Sequence, residues 1–556
     1  MTTGAALPAA GQGTSLASVR RGSRDFAGWR TAFRFLLRRN WVRMLVWVLV
    51  LAGLIAVVVV SQRQAFPTQG DRTAYAAIAN TPAVAALTGL PYAAGSLGGI
   101  LIIKIWMTDA IALAFAVIFL ASRNGRAEEE AGRTELLRAG VLGRHAYTVA
   151  SWVMIAAFCV VTGLACAGAA IAEGLPGYSS LVMGASYTGV GLAFLGVAAI
   201  AGQLAGTSRG ANGIASTVLG AAYLLRAAGD LAAKHEVAGG LSWTSPLGWG
   251  QAMRSFGGNN WAPFLLLVGT AVALCLVSLR LEATRDLGAG ILPDRAGARS
   301  ASALTRTPVG LTLRLQRWSI LGWALGIIVG GLFFGSVATA MAHVFGGNSA
   351  PAKLFLGGIT GNVLTGLLDY FTMADALLVA AFALQGSATL RTEESSGSVE
   401  LQWTGAISRV RWALSRVAVP AVVSLALLAA SGYAEGATYG AAIHDPSQAG
   451  RFTVLSLAYW PTMLVLIGLV VFLAGWLPRA SLTTAWVIYG LIVLVSMFGP
   501  VLGLPRAITD NTPFTAIEKM TTSGFDAIPL VVLVVIATGL TCLGLRRLAS
   551  RDFVAG

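Results

Sequence analysis

The sequence predicts an all-α integral membrane protein with about twelve transmembrane helices, set out as two parallel repeats of about six helices each. Four observations carry that prediction. Of the 556 residues, 56% are hydrophobic and only 11% charged, with a mean hydropathy of +0.72, whereas a soluble chain keeps roughly a quarter of its residues charged. Apolar runs long enough to cross the ~30 Å hydrocarbon layer recur along the chain. Arginines gather in the gaps between those runs, and two long stretches repeat each other.

The runs fall near 44–61, 97–121, 147–172, 181–206, 213–229 and 263–281, then near 318–342, 371–390, 413–434, 454–477, 481–503 and 528–546. The segment 213–229 is the shortest and carries Arg226. A net charge of +15 would suit nucleic acid, but 35 of the 39 basic residues are arginines placed between apolar runs. That placement sets membrane orientation and gives no reason to expect nucleic acid. Gaps on one side hold 27 basic residues and those on the other only eight. The positive-inside rule then puts both termini in the cytoplasm of a multi-pass protein. Abundant Ala, Gly and Arg beside scarce Lys accompany a bacterial plasma membrane assignment by association.

At the N-terminus, Arg20-Arg21 ahead of an apolar stretch imitates a targeting signal. The stretch after Arg43 runs unbroken to Val60 with no cleavage site, so it reads as a retained first span. Residues 1–24 are expected to be disordered. Over 25–42, Phe26, Trp29, Phe33 and Leu37 recur at helical spacing beside Arg30, Arg34 and Arg38. This fits an interfacial helix on the inner leaflet, the alternative being an extension of span 1. Cys159, Cys166, Cys275 and Cys542 all lie in apolar runs without a CxxC pair. They read as small buried hydrophobes, and four scattered histidines give no metal site.

Met107 to Arg144 reads MTDAIALAFAVIFLASRNGRAEEEAGRTELLRAGVLGR, and Met373 to Arg409 reads MADALLVAAFALQGSATLRTEESSGSVELQWTGAISR. With one gap they align throughout, matching Asp109 with Asp375 and Arg126 with Arg391. A second block, Ser245-Pro246-Leu247, recurs as Thr512-Pro513-Phe514. The chain is therefore expected to be a tandem duplication. Its parts are a tail and interfacial helix over 1–43, a first repeat over 44–286, a basic linker over 287–317 and a second repeat over 318–556. Parallel halves related by an axis along the membrane normal, with a pathway between them, suit a transporter.

The loops after the second span of each half are the most informative segments. Each has carboxylates starting two residues after an Arg, then Gly, Glu and a closing Arg: Glu128, Glu129, Gly132, Glu135 and Arg144, and again Glu393, Glu394, Gly397, Glu400 and Arg409. At helical spacing Glu128, Gly132 and Glu135 share a face. Acids on the basic side of a membrane run against its charge bias and call for a dedicated cationic partner. The plainer reading is a solvated loop balancing its own arginines.

The loop RAEEEAGRTELLRAGVLGR, seen again as RTEESSGSVELQWTGAISR, resembles the coupling segment of type-two ABC exporter permeases. The duplicated layout over nearly the whole chain is similar to the polyketide-antibiotic (tetronasin-type) multidrug exporter permeases of actinobacteria. That resemblance implies coupling helices docking on two copies of a separate nucleotide-binding subunit, which would bind ATP and Mg²⁺. The second copy departs from the first: Gly397-Ser398-Val399 stands where the first has Gly132-Arg133-Thr134, so the halves are expected to grip their partners unequally. A phosphate-cradling GxxxxGK[ST] loop is required to hold ATP, and this chain has no Gly-Lys dipeptide. No cofactor is therefore expected in this chain, and no catalytic residue or enzyme activity of its own.

Asp109 and Asp375 lie inside spans, about 24 Å from the basic side at 1.5 Å per residue. Structural pairing, a place lining the pathway exit and proton coupling all stay open for them. Lys104 is expected to snorkel to the outer interface, and Arg226 and Arg416 to be boundary or packing residues. A hydrophobic or amphipathic substrate, antibiotic, drug or lipid-like, is expected against spans 2 and 8. Trp106, Asp109, Phe115 and Phe119 on span 2 and Phe371, Met373, Asp375 and Phe382 on span 8 are the expected pathway residues, with Tyr223 and Tyr489 adding polar tips. The rival is an ion-coupled secondary multidrug antiporter, which would carry a basic Gly/Asp/Arg loop where this chain has glutamates. A membrane anchor is the third reading, disfavoured by the intact repeat.

Overall fold

The computed structural model describes residues 25–551 except 81, 139–141, 233–238, 287, 293–299, 346–362, 398, 401–406, 499–504, 510 and 518–526. The expected disordered tail 1–24 lies outside these residues, as do positions 287 and 293–299 of the expected linker and Lys353 and Lys519 of the orientation count. Among the described residues every regular element is helical. The chain forms two compact units, Met1–Ala296 and Gly297–Gly556.

In the first unit the order is α1 (Trp29–Ala65), α2 (Gln69–Ala79), α3 (Pro82–Thr88), α4 (Leu97–Leu101), a π turn (Ile102–Trp106), α5 (Met107–Arg123), α6 (Arg126–Glu130), α7 (Arg133–Arg138), α8 (Ala146–Ala172), α9 (Gly177–Leu204), α10 (Ser208–Leu231), α11 (Pro246–Ala252) and α12 (Ala262–Thr284). The second unit has α13 (Pro308–Phe345), α14 (Val363–Ser387), α15 (Thr389–Ser395), α16 (Arg409–Ile443), α17 (Ser447–Leu457), α18 (Trp460–Trp476), α19 (Ser481–Phe498), α20 (Arg506–Thr509) and α21 (Ala527–Ser550).

Among the described residues, ten helical stretches are long and apolar enough to cross a membrane. The two other expected spans are also helical. One, α10, is too polar to count among them, and the apolar part of α19, Ser481–Met497, is too short. Polar Ser208, Arg209 and Asn212 and charged Arg226 and Asp230 dilute α10.

Two boundaries differ from the sequence expectation. No Pro and no Gly before Gly53 interrupts α1, so the segment read as an interfacial helix continues straight into the first span. The helix packs mainly on α8 and buries Ala32, Leu36, Asn40, Met44, Leu51, Ile55 and Val59. Second, α16 does not stop at 434: it carries Glu435 as a buried residue and ends at Ile443, where His444 turns left-handed. Lys104 lies over the rings of Phe66 at 4.8 Å and Tyr75 at 5.5 Å, residues that follow the end of α1.

Packing follows membrane rules, where small residues let backbones approach. Gly163 of α8 and Gly184 of α9 face each other so closely that a methyl group on Gly163 would stand 2.2 Å from the Gly184 carbonyl oxygen. Gly475 of α18 and Gly544 of α21 make the corresponding approach in the second unit, at 2.6 Å.

Candidate functional site

The two glutamate loops begin where α5 and α14 end. In neither is the expected continuous helical face present. Gly132 adopts φ +70° and Gly397 φ +73°, the left-handed region. The Gly132 amide donates to the Glu129 carbonyl at 2.9 Å and that of Gly397 to the Glu394 carbonyl at 3.1 Å. Each glycine thus stops a short helix, the task that only a residue without Cβ performs at no steric cost. Nothing lies within 4 Å of where a Cβ would stand, so the demand is on the backbone alone. Gly132→Ala or Gly397→Ala is expected to destabilise by ~1–2 kcal/mol, and Gly132→Asn by less, measured by thermal unfolding of the purified chain.

That turn separates the acids by environment. Glu128, Glu129 and Glu394 are buried or nearly so and Glu393 is half-buried, while Glu135 and Glu400 are exposed. The buried acids already have cationic partners, and those partners lie in the chain itself. Glu129 accepts from Arg126 at 2.8 Å and from Arg285 at 2.7 and 2.8 Å. Arg285 follows the last helix of the unit, α12. Arg126 also donates to the carbonyls of Gly206, Gly288 and Ala289. Glu128 accepts from Arg133 at 2.7 Å and Arg39 at 3.0 Å, and Arg39 with Asn40 also binds Asn124. Arg144 donates to the Glu282 and Ala283 carbonyls at 3.2 and 2.8 Å, capping the last turn of α12. Glu130 accepts from the Ser208 amide and hydroxyl, fastening the loop to the start of α10. Those two bonds hold the Glu130 carboxyl below its ordinary range.

The second unit repeats the set. Glu394 pairs with Arg391 at 3.2 Å and with Arg551 at 2.6 Å, and Arg551 follows the last helix, α21. Arg409 donates to the Arg551 carbonyl at 2.6 Å. Gln316 of α13 binds Gly386 and Thr389, much as Asn40 of α1 binds Asn124. One partner differs: Glu393 is held by Arg416 of α16 at 2.8 Å, and the Arg416 side chain is fully buried. Arg416 was expected at a boundary or in packing; it supplies charge in the copy whose sequence lacks an arginine matching Arg133. In both units, then, the loop is tied to the unit's last helix through an arginine–glutamate–arginine triad. Nothing in the sequence singles out Arg285 or Arg551, since Arg280 precedes the one and Arg546 and Arg547 the other at the end of the same apolar run.

The residues expected along a substrate path are mostly fixed in packing. Trp106 is buried, donates to Ser186 at 2.7 Å and stacks on Tyr187. Met373 and Phe382 are buried, with Trp323 edge-on to Phe382. The Tyr223 hydroxyl reaches the Leu87 carbonyl at 3.3 Å, beneath the Arg226 guanidinium. The Tyr489 hydroxyl binds the Leu377 carbonyl at 2.7 Å. Phe115 stacks on Phe119, and only Phe119 is exposed, at 49%. Arg226 is a fully buried ion-pair member, bound to Asp230 at 3.1 Å and to the Leu87 carbonyl at 3.0 Å. Asp109 and Asp375 are buried, and neither makes an ion pair among the described residues. Among the described residues no group of His, Cys, Asp and Glu could hold a metal ion.

Residues 305–548 match the family described as the C-terminal domain of multidrug efflux system permease Rv1217c. Over 541 residues the chain is 34% identical to the multidrug efflux system permease protein Rv1217c of Mycobacterium tuberculosis, covering 96% of each chain.

Proposed function

Because the chain belongs to the family of the multidrug efflux system permease Rv1217c, we propose that it is the membrane permease of an ATP-driven, tetronasin-type exporter. It moves hydrophobic or amphipathic compounds out of a bacterial cell and works with two copies of a separate nucleotide-binding subunit. In this reading the chain is a duplicated twelve-helix protein with both termini in the cytoplasm.

The observation that supports it best is the paired arginine–glutamate–arginine triad. A loop that receives force from a partner must be rigid and joined to transmembrane helices. Here each loop is joined to α12 or α21 through Glu129 or Glu394, and to α1 or α16 through Glu128 or Glu393. The acids left to meet a partner are Glu135 and Glu400, which are exposed. Glu128, Glu129, Glu393 and Glu394 instead act as the loop's internal fastening. ATP and Mg²⁺ would bind on the partner, since the sequence has no phosphate-binding loop.

The test is reconstitution. The purified chain alone is expected to hydrolyse no ATP, and hydrolysis stimulated by lipophilic compounds is expected only with the partner ATPase present. Nucleotide binding by the isolated chain, free of contaminating ATPase, overturns the assignment.

A further inference from the structure

The second unit buries two carboxylates that the coupling loops do not use. Asp375 of α14 and Glu435 of α16 are both 0% exposed. The two helices pack together, and each offers the other a hydroxyl. Ser431 Oγ donates to Asp375 Oδ2 at 3.0 Å, and Thr372 Oγ1 lies 3.0 Å from Glu435 Oε2. Thr372 Oγ1 is also 3.0 Å from the Leu368 carbonyl. A threonine hydroxyl has one hydrogen. It makes a full bond to each when Glu435 carries a proton and donates it to Thr372, and otherwise must share its one hydrogen between two acceptors.

The other two oxygens, Asp375 Oδ1 and Glu435 Oε1, are buried without a hydrogen-bond partner. Gly330 and Gly331 of α13 make room for Asp375, because a methyl group on either would stand 3.1 or 3.4 Å from a carboxylate oxygen. Among the described residues the packed elements supply no counter-charge. From 318 to 336, α13 has no ionisable residue; α14 adds Asp369 and Tyr370; α16 adds Tyr433 and Tyr439. The nearest arginine on α16, Arg416, lies about 28 Å along the axis at 1.5 Å per residue, and Arg451 of α17 is exposed. Two unpaired carboxylates in such surroundings cannot both ionise.

We propose that Asp375 and Glu435 form a proton-binding site, which holds a proton in the resting permease and exchanges it when α14 and α16 separate. The step is protonation of a carboxylate and its reversal, with no other reactant. It is specific to the second unit: Asp109 occupies the place matching Asp375, but α8 carries no acidic residue.

Infrared spectroscopy of the full chain in lipid nanodiscs tests this without any partner ATPase, so it can fail while the exporter reading stands. At neutral pH the unmodified chain is expected to show a protonated carboxyl C=O band. The difference spectrum against Glu435→Gln should lose intensity there. Asp375→Asn should shift the remaining band, and Thr372→Val should move it by removing its hydrogen bond. Asp109→Asn, run as a reference, identifies any contribution from the first unit. Variants that fold like the parent but leave the carboxyl region unchanged overturn the proposal. If Glu435→Gln does not fold, the unmodified chain decides: no carboxyl band at neutral pH, or one unaffected by Thr372→Val, overturns it equally.

Discussion

Replacing Glu129 by Gln is expected to produce the largest loss of stability and coupling among substitutions in the glutamate loops. Glu129 stands between the guanidinium groups of Arg126 and Arg285, whose side chains are 1% and 6% exposed. Gln removes the charge that lets two arginines sit together away from water. Breaking a buried pair by removing one partner costs ~3–5 kcal/mol, because the remaining charge stays buried. Thermal unfolding should therefore begin well below that of the parent, and stimulated ATPase activity with the partner should be lost. Glu394→Gln is expected to act the same way through Arg391 and Arg551. The control is Glu135→Ala. It should leave unfolding unchanged while weakening capture of the ATPase subunit, since Glu135 is exposed. Parental stability in Glu129→Gln would falsify the fastening role.

The second large effect is an asymmetry between the halves. Arg416→Gln should destabilise far more than Arg133→Gln. Arg416 is buried against Glu393, the Pro308 carbonyl and Thr312, and Gln removes the buried guanidinium charge that Glu393 meets there. A loss of ~3–5 kcal/mol is expected. Arg133 is mostly exposed at 57%, and Glu128 retains Arg39 when Arg133 is replaced. Exposed pairs contribute little because water and salt screen them. Arg39→Gln, with a 26% exposed side chain, should fall between the two. Unfolding temperatures at low and high salt check the order, and only the Arg133 effect should fade with salt. Equal effects for all three would mean that the halves are fastened alike.

Much of the helical architecture is legible in the sequence. Length and apolarity located the helices, because a bilayer forces every backbone polar group in a span to be satisfied within its own helix. The repeated loop stood out because charge is scarce elsewhere. The stopping role of Gly132 and Gly397 was also readable, as a glycine closing a short acidic helix in both copies; treating the loop as one continuous helix hid it. Ending a span at 434 failed for a related reason. An acid normally marks water, and nothing near Glu435 in sequence announces Thr372 of another helix.

The sequence by itself determined which segments are helical, where positive charge collects and which loop repeats, since those depend on neighbours a few residues apart. Only the tertiary structure decided what the buried glutamates bind. Glu129 finds Arg285 and Glu128 finds Arg39 across 156 and 89 positions, and Glu394 finds Arg551 across 157. A carboxylate among many arginines has no local preference for one of them. Its partner is fixed by which helix end packing delivers to it, and by the cost of leaving any buried charge without one.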